Sequence, residues 1–215
     1  MTHRTALNHN SPDSKGRCHV RLNNNAARTL IAALLIAVSL GAPAAAKGAA
    51  GAGSATAVAD ISRIHIDNFG RVDATYYRGG QPAGHDYGDL AALGVKTIIN
   101  LTSDDATPDE KAMAEQAGLQ YVQIPMTTHE PPTSAQLAEF MKIVNDAASQ
   151  PVYVHCVGGR HRTGVMTAAY RMTEDGWTAE QAFKEMKDYK FGADFLHPEF
   201  KKFVYGYSAQ QLART

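Results

Sequence analysis

Short apolar runs and amphipathic stretches alternate along residues 61–205. Residues 95–101 (Val-Lys-Thr-Ile-Ile-Asn-Leu), 119–125 and 151–154 are brief, β-branched and bounded by Gly, Pro or Asp, the pattern of buried strands. Between them the apolar spacing turns helical. The spacing predicts helices over residues 86–93 (stopped by Gly94), 109–117 (opened by Pro108, stopped by Gly118), 134–148, 165–174, 177–187 and 198–205. Thr133 with Gln136 three places on predicts a capping box for the third of these. Residues 64–66 and 74–77 suggest an opening hairpin about Asn68-Phe69-Gly70, and residues 78–82 read as a loop. Strands alternating with helices imply an α/β fold, a central and largely parallel sheet flanked by helices. Ligands in such sheets gather beyond the carboxyl ends of the strands. Asp104, Asp105, residues 127–132 and Cys156 all follow predicted strand ends, so one edge is expected to collect them.

The last strand runs straight into His155-Cys156-Val157-Gly158-Gly159-Arg160-His161-Arg162-Thr163-Gly164, with helix-forming residues behind it. A strand, a glycine-bearing loop and a helix N-terminus make an anion cradle, because unpaired N–H groups and the helix dipole converge there. Thiols in such cradles ionise near neutral pH, and the thiolate is the nucleophile. Cys156 is therefore expected to face a phosphate, with Val157, Gly158, Gly159, Arg160, His161 and Arg162 as the phosphate-binding residues. Arg162 can clasp two oxygens at once, which a lysine cannot. Gly158 and Gly159 let the backbone curl. Thr163 is expected to donate its hydroxyl to the sulfur, and His155 to brace the loop from beneath. Arg160 and His161 are expected to add positive character, and Arg78 is a candidate for the substrate rim.

Residues 1–46 read as a secretory signal peptide: Arg17, Arg21 and Arg28, an apolar run over residues 30–40, and a small-residue site ending at Ala46. The apolar run falls short of the ~20 residues that a spanning helix needs, so no membrane span is expected after cleavage. Residues 47–60, rich in Gly, Ala and Ser, read as a flexible lead-in, leaving residues 61–215 as one domain. Removing the leader takes five bases and one acid from 21 of each, leaving 16 against 20. A mildly acidic chain does not suit nucleic acid. Cys18 lies in the leader, so Cys156 is the lone thiol of the exported form. That excludes an internal disulfide and a cysteine-built zinc site. The expectation is an exported, periplasmic or secreted monomer that needs no metal or cofactor.

The loop resembles the HC-x5-R-[ST] signature of cysteine-based tyrosine and dual-specificity phosphatases. The tail Gly159-Arg160-His161-Arg162-Thr163-Gly164 is similar to that of the plant and fungal atypical dual-specificity phosphatases. Tyr77-Arg78-Gly79-Gly80-Gln81-Pro82, residues 93–101 and Gly118-Leu119-Gln120-Tyr121 fit that family's order, so the likeness spans roughly residues 77–205. It implies a tyrosine-phosphatase-like fold and hydrolysis of phosphate monoesters through a phosphocysteine intermediate, on a phosphorylated protein or a small phosphorylated molecule. Phosphotyrosine or dual-specificity protein phosphatase activity is the expectation. Inositol (pyro)phosphates or phospholipid headgroups are the alternatives of the same mechanism. An inactive phosphate-binding module and a sulfurtransferase or arsenate reductase are rivals of other classes. The family's usual acid is an aspartate on the loop after the preceding strand. Here that loop, residues 126–132, carries none, which leaves Glu130, His129 and Asp105 as candidates for the proton donor; Asp104 and Asp105 fit helix capping equally well.

Overall fold

The computed structural model describes residues 61–103 and 105–209. The expected signal peptide and lead-in lie outside the described residues, as does Asp104. Five strands form one sheet: β1 (Gly70–Arg71), β2 (Tyr76–Gly79), β3 (Thr97–Asn100), β4 (Gln120–Gln123) and β5 (Val152–His155), in the order β1-β2-β5-β3-β4. Only β1 runs antiparallel to its neighbour; β2, β5, β3 and β4 are mutually parallel. Among the described residues, six α-helices flank the sheet: α1 (Asp86–Ala92), α2 (Glu110–Gln116), α3 (Ser134–Val144), α4 (Arg162–Glu174), α5 (Ala179–Asp188) and α6 (Pro198–Gly206). The α/β expectation holds.

The two-residue period of the strands divides the core into two faces. Tyr77, Ile98 and Tyr153 point to one side and pack with Leu90, Leu93 and Ala114 of the α1–α2 layer. Tyr76, Ile99, Val152 and Val154 point to the other, against α3, α4 and α5 through Phe140, Val165, Met166 and Phe183. Helix α4 is the hub of this second layer, buried from Arg162 through Tyr170. The Thr133–Gln136 capping box is present at α3, with both reciprocal bonds made, and Thr178 with Gln181 repeats it at α5. No helix among the described residues is long and apolar enough to cross a membrane.

Three local expectations shift. The opening hairpin turns between Arg71 and Tyr76, not at Asn68: Gly70 pairs with Arg78 and Arg71 with Tyr77. Arg78 and Gly79, expected in a loop, close strand β2. Helix α3 ends at Val144, four residues early, because Asp146 Oδ1 accepts the Ala148 N–H and caps a turn there. The register sets Gly79 and Asn100 on either side of His155 at the carboxyl end of the central strand. Cys156 follows directly.

Candidate active site

Cys156 is a free thiol, 3% exposed, on a cavity of about 370 Å³ lined also by Asp105, Thr128, Val157, Gly158, Arg160, His161 and Arg162. Among the described residues, no backbone or side-chain acceptor takes the N–H groups of residues 157–162. Six consecutive amides between a strand end and the first turn of α4 are thus left for an anion. The curl depends on Gly159, which holds φ at +63°. A Cβ there would lie 2.3 Å from the Gly79 carbonyl carbon and 2.7 Å from the Gly80 nitrogen, so this position accepts only glycine.

Arg162 opens α4 and is held from one end. Its Nη1 and Nη2 donate to the two carboxylate oxygens of Asp105 at 2.7 and 2.6 Å, and Nη1 also donates to the Met126 carbonyl at 3.1 Å. Asp105 thus takes the edge between the two Nη atoms. The Nε–H is not used by Asp105 or Met126, and a guanidinium fork matches two oxygens of a phosphate. The hydrogen bonds from Arg162 hold the Asp105 carboxyl below the usual carboxylate range.

Beneath the loop lies a buried polar layer. His155 Nε2 sits 2.8 Å from Glu110 Oε1, in contact but without hydrogen-bond alignment, and both side chains are fully buried. Asn100 Nδ2 donates to Glu110 Oε2 and to the Tyr121 hydroxyl, while Asn100 Oδ1 accepts from the Thr102 N–H and hydroxyl, each at 2.7 Å. Tyr153 stacks on the His155 ring and donates to the Gly80 carbonyl at 2.6 Å. On the outer side Asn68 Nδ2 donates to the carbonyls of Gly159 and Tyr189, both at 2.9 Å. His155 is fully buried at the end of β5, directly before Cys156. Glu110, Asn100 and Asn68 were not anticipated.

A family model for a DSP-PTPase phosphatase fused to NAD+ kinase matches residues 56–201, most of the domain just described. The chain belongs to the DSP-PTPase phosphatase family. It is 32% identical over 166 residues to the dual specificity protein phosphatase TpbA of Pseudomonas aeruginosa (strain UCBPP-PA14), covering 77% of this chain and 73% of that protein. A crystal structure of a cysteine-to-serine TpbA in complex with phosphotyrosine superposes with a TM-score of 0.58 at 27% identity, covering 67% of this chain and 87% of that one. The core catalytic domain of the Saccharomyces cerevisiae PP-IP phosphatase SIW14 gives a TM-score of 0.60 at 23% identity, over 69% and 90%, a likeness of fold.

In this DSP-PTPase several side chains stand elsewhere than expected. Arg78 is not on a rim: it is fully buried, with Nη2 donating to the Gly159 carbonyl at 2.9 Å and the guanidinium 3.9 Å from the Tyr189 ring centroid. Its place in β2 points it under the loop, where it supports Gly159 and stacks on an aromatic ring. The Thr163 hydroxyl is buried and makes no hydrogen bond, so the expected bond to sulfur is not formed. Burial pushes the His161 imidazole below the ordinary histidine range, while its Nε2 sits 2.9 Å from the Phe191 carbonyl oxygen. Arg160 stays on the pocket and half exposed, 3.6 Å from Asp67. Lys184, Lys187, Lys190 and Lys201 are each paired with an aspartate at 2.7 Å.

The three proton-donor candidates separate cleanly. Asp105 lines the Cys156 cavity but is committed to Arg162. His129 is stacked on His197, with ring centroids 5.8 Å apart. Glu130 is exposed, and among the described residues its one hydrogen bond is from the Thr127 hydroxyl of its own loop, at 3.3 Å. Its neighbour Thr128 lines the Cys156 cavity.

Proposed function

We propose that this phosphatase hydrolyses phosphate monoesters through a phosphocysteine on Cys156, with phosphotyrosine in proteins as its substrate class. The observation that carries the mechanism is the run of untaken amides over residues 157–162 directly after Cys156, on a cavity that Cys156 and Arg162 both line. Three equatorial oxygens would occupy those donors. The Cys156 thiolate attacks phosphorus, the Sγ–P bond forms and the P–O bond to the leaving group breaks. Glu130 gives its proton to the departing oxygen. Its carboxylate then takes a proton from the water that attacks phosphorus, the Sγ–P bond breaks and inorganic phosphate leaves. Asp105 orients Arg162, and the hydrogen bonds that lower its carboxyl pKa favour the form with no proton to give. Arg162 draws the charge of the transferring group to its guanidinium.

The substrate class is supported by the 32% identity to a dual specificity protein phosphatase and by a phosphotyrosine complex of that relative at 27% identity. The inositol diphosphatase SIW14 of Saccharomyces cerevisiae shares 26% identity over 60% of this chain, which spans 47% of that protein. Purified protein is expected to cleave p-nitrophenyl phosphate in a vanadate-sensitive way and Cys156→Ser to be inactive. In a panel of phosphotyrosine peptides against inositol pyrophosphates, a higher kcat/KM on the latter would overturn the substrate assignment. We further propose export through cleavage near Ala46, supported by the basic and apolar pattern of residues 1–46. Full-length protein recovered only inside the cell would refute export.

A further inference from the structure

Behind one wall of the phosphate pocket, three ligating side chains converge from two segments. His129 of the 126–132 loop, His197 just before α6 and Glu199 in its first turn each bring one ligand atom within 4.8 Å of the other two. His197 Nδ1 and Glu199 Oε1 are 3.4 Å apart, both shielded from solvent, and neither has a hydrogen-bond partner. A simple histidine–glutamate pair would align an N–H on the oxygen and satisfy both atoms, because leaving them unpaired away from water is unfavourable. A tetrahedral ion with bonds of about 2.0–2.1 Å holds its ligands roughly 3.4 Å apart, with no hydrogen between them.

We propose that His129, His197 and Glu199 form a site for a divalent transition ion of the zinc class. Two imidazoles and one carboxylate suit zinc or cobalt, whereas calcium and magnesium require all-oxygen sets. Three protein ligands leave a fourth position for water. His129 is exposed at the loop and closes onto the ion from that side. The His161 ring, its Nε2 taken by the Phe191 carbonyl, packs 3.8 Å from the His197 ring and lines the Cys156 cavity on its far side. A bound ion would therefore pin the loop that carries Glu130 to the start of α6, one ring away from the phosphate cradle. This site stands apart from the phosphatase reading, since none of its ligands is assigned to that chemistry.

The test uses the full chain with Cys156→Ser, which removes the competing thiol, titrated with Co²⁺ and followed by its visible d–d absorption. One equivalent is expected to give a tetrahedral-type band that Zn²⁺ abolishes. His129→Ala and Glu199→Gln, added separately, should each weaken Co²⁺ binding at least about tenfold, since even residues that only hold a metal ligand in place contribute that much. Glu199→Gln keeps size and shape, and an unchanged melting curve for each variant separates lost ligation from lost folding. No band, or a band whose affinity is unchanged in either variant, would overturn the site. The latter result would place cobalt on another cluster, such as His85 with Asp86 and Asp89.

Discussion

Replacing Asp105 with asparagine separates orientation of Arg162 from proton donation. The wild-type pair consists of two charge-assisted bonds, 2.6 and 2.7 Å, between a guanidinium 4% exposed and a carboxylate 36% exposed. Charge-assisted bonds contribute about 1.5–3 kcal/mol each when well buried. Partial exposure of Asp105 screens the pair, and asparagine retains one bond, so the loss falls at the low end. We expect transition-state stabilisation to drop by about 1.4 kcal/mol, roughly a tenfold fall in kcat/KM. The assay compares p-nitrophenyl phosphate, whose leaving group needs little protonation, with phenyl phosphate, whose leaving group needs much. Asp105→Asn should lose equally on both, because Arg162 serves the phosphoryl group whatever departs. Glu130→Gln should lose far more on phenyl phosphate, about 10²-fold or greater. Arg162 depresses the Asp105 carboxyl, so the pair is intact above the unfolded aspartate value of about 3.9 and dissolves only as pH falls through the lower folded value. Any acid limb due to this pair therefore lies below about pH 4 and is absent from the asparagine variant. If Asp105→Asn erased the basic limb and fell mainly on phenyl phosphate, Asp105 would be the proton donor and the orientation argument would fail. Unchanged kcat/KM on both substrates would refute it too.

Two further substitutions test the scaffold. Gly159→Ala places a Cβ 2.3–2.7 Å from the backbone of Gly79 and Gly80 at a positive φ. It should cost at least about 2 kcal/mol, lowering Tm by about 4 °C or more and abolishing turnover; a stable, active variant would refute the close packing. Thr133→Ala removes the α3 capping box and should cost about 1 kcal/mol without changing kcat/KM. A lowered kcat/KM in a folded Thr133→Ala protein would show that the box does more than hold the helix.

What was legible from the chain was local. Strands β3, β4 and β5 stand out because short apolar runs sit between breakers, and the α3 box because its two bonds span three residues. The cysteine loop is equally local, being one strand end, two glycines and one helix start. What escaped was set by long-range packing. Asn68 looked like a hairpin turn residue; it has φ +58°, but its side chain is used to tie the loop to Tyr189. Arg78 looked exposed beside two glycines, yet β2 is an inner strand with both faces covered, and no neighbour in sequence reveals the Tyr189 ring over it. Glu110 stands in the first turn of α2, where an acid commonly faces water. Its burial follows from Asn100 and His155 lying side by side at adjacent strand ends, a juxtaposition that only the sheet order creates. A polar Asn100 closing an apolar strand was the one signal that could have pointed there.

The central claim is a covalent intermediate on Cys156. Rapid acid quench of enzyme turning over phenyl phosphate, followed by peptide mass spectrometry, tests it most directly. One phosphoryl group is expected on the peptide containing Cys156, accumulating within a single turnover and absent from Cys156→Ser. A phosphoryl group on another residue, or sustained turnover by Cys156→Ser, would contradict it.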